Sequence, residues 1–137
     1  MKKTVHSIIL ILVGISLFLS FTSCKANDTI FLEESKSYFS DFQVEGNQVK
    51  IKCYITLTNN FDVEKTVHLS AKLPEDVTIG LLKQEEVAAL NEDGSQTAFL
   101  LPANSSKSFD VVFVGEFAGT NRKHDKLLPE IIIEIAE

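Results

Sequence analysis

The residues that could do chemistry are few and lie far apart in the chain. Histidine occurs at His6, His68 and His124, and cysteine occurs at Cys24 and Cys53. No two of the histidines have the spacing of a helix face or a hairpin, and the motifs HExxH and CxxC do not occur, so we expect no zinc site. Cys53 falls on the apolar side of a predicted strand, where burial would raise the pKa of the thiol and make it inert.

The acidic residues do not predict an ion site either. The stretch Asn91-Glu92-Asp93-Gly94-Ser95 lacks the alternating oxygen ligands of a calcium loop, and we interpret it as a solvated loop. The chain also lacks the GxSxG, phosphate-loop and dinucleotide motifs. We therefore expect no catalytic residue, no metal and no cofactor, and we interpret the protein as a non-enzyme.

The N-terminus has the layout of a secretory signal peptide. Lys2 and Lys3 form a positive head, and residues 8–21 are apolar apart from one glycine and two serines. Small residues then lead into Cys24. This apolar run is shorter than the roughly 20 residues that a permanent membrane-spanning helix needs. The pattern therefore predicts export from the cytoplasm.

The sequence Phe21-Thr22-Ser23-Cys24 resembles the lipobox of bacterial lipoproteins. That family prefers leucine at the position of Phe21. The resemblance implies removal of residues 1–23, a diacylglyceryl thioether with palmitate-type chains on Cys24, and a membrane-anchored protein on the extracytoplasmic side, at the cell surface or in the periplasm. The alternatives are a secreted protein with an incidental cysteine and an uncleaved signal anchor.

The part that follows the predicted signal is acidic. Removing residues 1–23 takes away Lys2 and Lys3 and leaves 114 residues, enough for one domain with its own core. Of the 13 basic residues 11 remain beside 19 acidic ones, so the formal charge is −8. A surface of this sign repels phosphate backbones, which excludes nucleic acid as an expected partner.

Alternation of apolar and polar residues is the strongest structural signal in the chain. Over residues 49–58 every odd position is apolar and every even position is polar or amphipathic, which is typical of a half-buried β-strand with Cys53 inside. Residues 83–90 contain helix formers, and they predict either a helical turn or a crossover between sheets. The predicted strands, about seven, are 38–45, 49–58, 65–73, 77–82, 96–101, 108–115 and 130–136.

Short strands separated by polar turns predict an all-β fold, an antiparallel β-sandwich. The alternating strand that runs into Thr58-Asn59-Asn60, the Leu73-Pro74 pair and the stretch 101–106 before the next strand resemble immunoglobulin-like domains of bacterial surface proteins. The expected organisation is a signal peptide at 1–23, a lipidated N-terminus and linker at 24–36, and the domain at 37–137. Within the linker, residues 30–32 either dock on the domain or open its first strand.

One loop concentrates positive charge in this acidic chain. Arg122, Lys123, His124 and Lys126 are interpreted either as a contact for an acidic partner or as a solvated, mobile loop. The expected function is a non-catalytic protein-interaction or adhesion module of the cell envelope. The alternatives are a structural accessory subunit and a carbohydrate-binding module, which the absence of Trp and the presence of only two tyrosines disfavour.

Overall fold

The computed structural model of the chain describes residues 27–120 and 123–137, and this part is all-β and antiparallel, as predicted. The sequence predicts about seven strands, and the described residues form eight. One turn of 3₁₀-helix at Glu34–Lys36 and one short α-helix accompany them. The elements are β1 (Ile30–Leu32), β2 (Tyr38–Glu45), β3 (Gln48–Asn59), β4 (Lys65–Lys72), α1 (Pro74–Thr78), β5 (Glu86–Asn91), β6 (Ala98–Leu101), β7 (Ser105–Glu116) and β8 (Glu130–Ile135).

The strands form one sheet that curls nearly into a barrel. β1 and β2 pair with successive parts of the same edge of β3, and β7 lies on the other side of β3. β5 joins the two halves of the sheet, because its residues 86–88 pair with β4 and its residues 89–91 pair with β7. β6 and β8 also pair with β4. The edge strands β1 and β8 approach each other where the sheet nearly closes.

The core lies inside this curled sheet, and the predicted alternation supplies it. All five odd positions of β3 from 49 to 57 are buried, and so are the alternate positions of β4. Burying one large aliphatic or aromatic side chain stabilises a fold by roughly 1.5–3 kcal/mol. The largest fully buried hydrophobic side chains include Phe113, Ile51, Ile55, Leu57, Leu81, Leu82 and Leu101.

Of the two alternatives for residues 83–90, the helical turn is wrong and the crossover between sheets is found, because β5 pairs with β4 and then with β7. Val87 and Ala89 are buried between these two strands, and this packing outweighs helix propensity. The predicted strand at 77–82 is wrong, because a short helix precedes and overlaps it. Pro74 occupies the first turn of α1, where its missing N–H costs nothing. Gly80, at φ +81°, ends the helix with a left-handed turn.

The segment at 30–36 belongs to the folded body. Of the two sequence alternatives, residues 30–32 open the sheet as β1, paired with β3. The following turn is tied down by Ser37, whose hydroxyl accepts a hydrogen bond from the backbone N–H of Thr56 at 3.0 Å. The Lys36 ammonium and the Thr58 hydroxyl lower the pKa of the Glu33 carboxyl to about 2.

Candidate functional site

The predicted basic loop divides into a part at the surface and a part inside. Lys123 and Lys126 are exposed, whereas the side chain of His124 is only 2% exposed. The imidazole of His124 is therefore not exposed for contact with an acidic partner. Arg122 lies outside the described residues, as does the proposed lipidation site Cys24. A partner-binding role for the loop would rest on its lysines and Arg122.

The His124 ring forms a buried ion pair with α1. Its Nδ1 lies 3.0 Å from Oδ2 of Asp76, a carboxylate whose side chain is only 5% exposed. Its Nε2 lies 3.3 Å from Oδ1 of Asp125 and makes no hydrogen bond within the described part of the chain. The rings of Phe39 and Phe42 lie against the imidazole, with centroid distances of 5.3 and 5.6 Å. His124 thus links α1 and the basic loop to the edge strand β2.

A bulge in β2 makes this arrangement possible. Phe39 lies opposite Cys53 and Asp41 lies opposite Lys52, so Ser40 is an extra residue. In a regular strand, positions three apart face opposite sides of the sheet. The extra residue brings Phe39 and Phe42 onto the same inward side, where both meet His124.

The electrostatics of the pair favour the charged imidazole. Burial by itself lowers the pKa of His124, but the hydrogen bond and charge of Asp76, together with the charge of Asp125, outweigh it and raise the pKa above its ordinary value. The imidazolium and the Asp76 carboxylate therefore hold two elements together. The imidazole contacts two carboxylates and two aromatic rings, and these contacts give it a structural role.

A cleft opens where β6 and β7 diverge. β6 pairs with β4, while β7 pairs with β3 along its length and with β5 at residues 111–113. No strand of the described residues pairs with the other edge of β6, or with the β5 side of β7 at residues 105–110. The cleft has a volume of about 570 Å³ and is lined from both of these strands and from the loop after β5.

The floor of this cleft is aromatic and its rim is acidic. Phe109 packs edge-on against Phe99 at a centroid distance of 5.2 Å. The Lys107 ammonium lies over the Phe109 ring, 5.2 Å from its centroid. The charged residues that line the cleft are Lys107 and three acids, Glu92, Asp93 and Asp110. Hydrogen bonds from Ser95 lower the pKa of the Asp93 carboxyl, so this residue stays ionised.

Two tyrosines extend this surface across the outside of the sheet. The rings of Tyr38 on β2 and Tyr54 on β3 stack with centroids 5.2 Å apart, and Tyr38 is 56% exposed. Tyr54 is the register partner of Asp110 on β7, so the pair lies beside the rim of the cleft. The β2–β3 hairpin was predictable, but the bulge that sets Tyr38 opposite Tyr54 was not.

The comparisons with family models, with curated proteins and with solved structures found no match. Within residues 27–120 and 123–137, no three side chains of His, Cys, Asp or Glu are grouped so that they could hold a metal ion. In the same ranges, no helix has the length and apolar character to cross a membrane. The cleft and the tyrosine pair are therefore the features from which a function is argued.

Proposed function

We propose that the protein is a lipid-anchored module of a bacterial cell envelope that binds another protein and has no catalytic activity. The anchor proposal is supported by the N-terminal sequence pattern ending at Cys24. Two acyl chains on one cysteine hold a protein stably at a membrane, whereas one chain does so only marginally. Between Cys24 and the start of β1 at Ile30 the chain can reach at most about 20 Å. The folded body is therefore held close to the lipid surface.

The binding proposal rests on one observation, the cleft bordered by two free strand edges. Unpaired N–H and C=O groups on an edge are a ready template for a strand from a partner. The aromatic floor adds apolar surface that such a strand would cover. Nothing in this mode of binding needs a nucleophile or a cofactor.

The immunoglobulin-like sandwich is part of the same proposal. In immunoglobulin-like domains the first, second, fifth and fourth strands are neighbours in one layer, and the third and sixth strands pair in the other. The strand order here supports the assignment. β2, β3, β7 and β5 are consecutive neighbours and would be the first, second, fifth and fourth strands, while β4 pairs with β8 and these would be the third and sixth. On this assignment β5 passes from one layer to the other and β6 is an insertion.

Replacing Cys24 by serine tests the anchor. In its bacterial host, the unaltered chain should take up a clickable palmitate analogue and have the mass of residues 24–137 plus lipid. The Cys24→Ser chain should take up no label, because a hydroxyl cannot form the thioether. Ser23→Ala keeps a small residue before the cysteine and serves as the matched control that stays labelled. Label on the Cys24→Ser chain, or none on the unaltered chain, would overturn the anchor.

Glycan binding is the second candidate function, and the stacked tyrosines favour it. Tyr38 presents more than half of its surface, and an exposed aromatic face is the usual platform for a sugar ring. On this proposal, calorimetric titration with soluble peptidoglycan fragments gives a heat of binding that Tyr38→Ala abolishes and that Phe31→Ala, a change at another exposed ring, leaves intact. No heat with the unaltered chain would remove this candidate.

A further inference from the structure

The β5 side of β7 is open along residues 105–110. Backbone groups of successive residues in a strand point to alternate sides, so about three of these six residues direct their N–H and C=O groups into the cleft. Three residues of this stretch, Ser106, Lys107 and Ser108, are exposed to solvent. A partner strand could therefore form a ladder with β7 without displacing any described strand.

A buried side chain fixes the end of β6 at one end of the cleft. The amide nitrogen of Asn59, a residue with 0% exposure, donates to the carbonyls of Leu101 at 3.2 Å and Pro102 at 3.1 Å. These are the last carbonyl of β6 and the first of the turn into β7. These hydrogen bonds fix the end of β6 against β3, and β6 diverges from β7 because it pairs with β4 along residues 98–101.

Charge identifies the kind of partner that fits. Glu92, Asp93 and Asp110 line the cleft against one lysine, Lys107, whose ammonium already lies over the Phe109 ring. The excess of carboxylates attracts a cationic segment and repels an acidic one. The basic loop with Lys123 and Lys126 would have the opposite preference, so the charge of a bound segment distinguishes the two surfaces.

We propose that the cleft between β6 and β7 binds an extended segment rich in lysine or arginine, which adds to β7 as a strand along residues 105–110. Alternate side chains of this segment cover Phe109 and its neighbours, and the basic side chains meet the carboxylates of Asp93 and Asp110. This inference rests on the proposed protein-binding function and names its partner class. It does not depend on the lipid anchor.

A synthetic peptide tests the inference directly. The probe is a fluorescent peptide of about eight residues in which lysine alternates with valine, titrated into the purified full chain in nonionic detergent. We expect saturable binding, and about tenfold weaker binding to the Asp93→Asn/Asp110→Asn double variant, since it removes two carboxylates that attract the basic side chains of the peptide. Lys107→Ala should strengthen binding because it removes a like charge, and Lys123→Ala/Lys126→Ala should leave it unchanged.

Two further probes separate strand addition from simple charge attraction. The same peptide with alternate amides N-methylated should fail to bind, because it cannot donate hydrogen bonds to the carbonyls of β7. Hydrogen exchange with the unmodified peptide should slow at amides of β7 within 105–110 and leave β8 unchanged. The melting temperature of each variant checks that the fold is retained.

The opposite results have distinct meanings. Equal binding of the N-methylated peptide, or slowed exchange confined to β8, would overturn strand addition to β7. Binding of a glutamate–valine peptide that requires Lys123 and Lys126 would place the contact on the basic loop, overturning the cleft while leaving the protein-binding function in place. Failure of every peptide would overturn this inference, and the palmitate label on Cys24 would still decide the anchor separately.

Discussion

Replacing His124 by alanine should lower the free energy of unfolding by about 3–5 kcal/mol, because it leaves the Asp76 carboxylate buried without its partner. The side chains of His124 and Asp76 are 2% and 5% exposed, so water cannot replace the lost ion pair without a local rearrangement. The change also removes the ring that packs against Phe39 and Phe42. Urea unfolding of the full chain in detergent, followed by circular dichroism, measures the effect.

His68 provides the matched control for this substitution. It is an exposed histidine on β4 whose Nδ1 lies 3.0 Å from the carbonyl oxygen of Thr97. His68→Ala should change the free energy of unfolding by less than about 1 kcal/mol, the range of exposed hydrogen bonds. Similar losses for the two variants would contradict the assignment of a buried ion pair at His124.

The same ion pair gives the stability a definite pH dependence. The pKa of His124 is raised in the folded protein, because the attraction of Asp76 and Asp125 outweighs the effect of burial, which lowers it. Its contribution is therefore complete below the unfolded pKa of about 6.5 and is lost as pH rises through the folded pKa. The free energy of unfolding should be measured between about pH 6 and 8.5. Burial raises the pKa of the Cys53 thiol to about 12, so ionisation of this thiol in the unfolded chain lowers the stability at higher pH and would obscure the effect of His124.

Asp76→Asn isolates the charge in this pH dependence. The amide keeps the size of the side chain and an oxygen that can accept from Nδ1, but it no longer attracts a proton to His124. The decline in stability between pH 6 and 8.5 should therefore flatten in this variant. A decline as steep as that of the unaltered chain would assign the pH dependence to other groups.

Replacing Asn59 by alanine should cost about 3 kcal/mol, because one buried and three partly buried hydrogen bonds to the backbone are lost at once. The amide nitrogen of Asn59 donates to the carbonyls of Val63, Leu101 and Pro102 at 3.1–3.2 Å. Its oxygen accepts from the N–H of Phe61 at 2.9 Å. One side chain thus fixes the turn after β3 and the end of β6. Urea unfolding again measures the loss.

Asn59→Asp sharpens this prediction. Aspartate has the same shape and keeps an acceptor for Phe61, but it places a second oxygen against three carbonyl oxygens. We expect it to be at least as destabilising as alanine, although it is the closest substitute in size. Asn60→Ala is the matched control, since the backbone N–H of Asn60 still donates to the carbonyl of Thr29. An Asn59→Asp variant with an unchanged free energy of unfolding would contradict the hydrogen-bond assignment.

The local periodicity of the sequence determined most of the strands and the core. The alternation at 49–58 identified the buried side of β3, including Cys53, because side chains alternate between the two faces of any extended strand. Proline and glycine located turns correctly around Gly46 and after Leu101. The all-β class followed from the same signals. The lipid anchor at Cys24 is a prediction from sequence, on residues outside those the structure describes.

Tertiary structure alone decided the features that form the candidate sites. A single extra residue, Ser40, sets the register that stacks Tyr38 on Tyr54 and turns Phe39 and Phe42 inward. His124 has polar and cationic neighbours in sequence, yet its side chain is buried. Its partner, Asp76, lies 48 residues away in the chain, so the local sequence does not reveal the pair. The open edge of β7 depends on where β5 and β6 pair. These outcomes come from contacts between distant segments, and a local pattern of side chains carries no information about them.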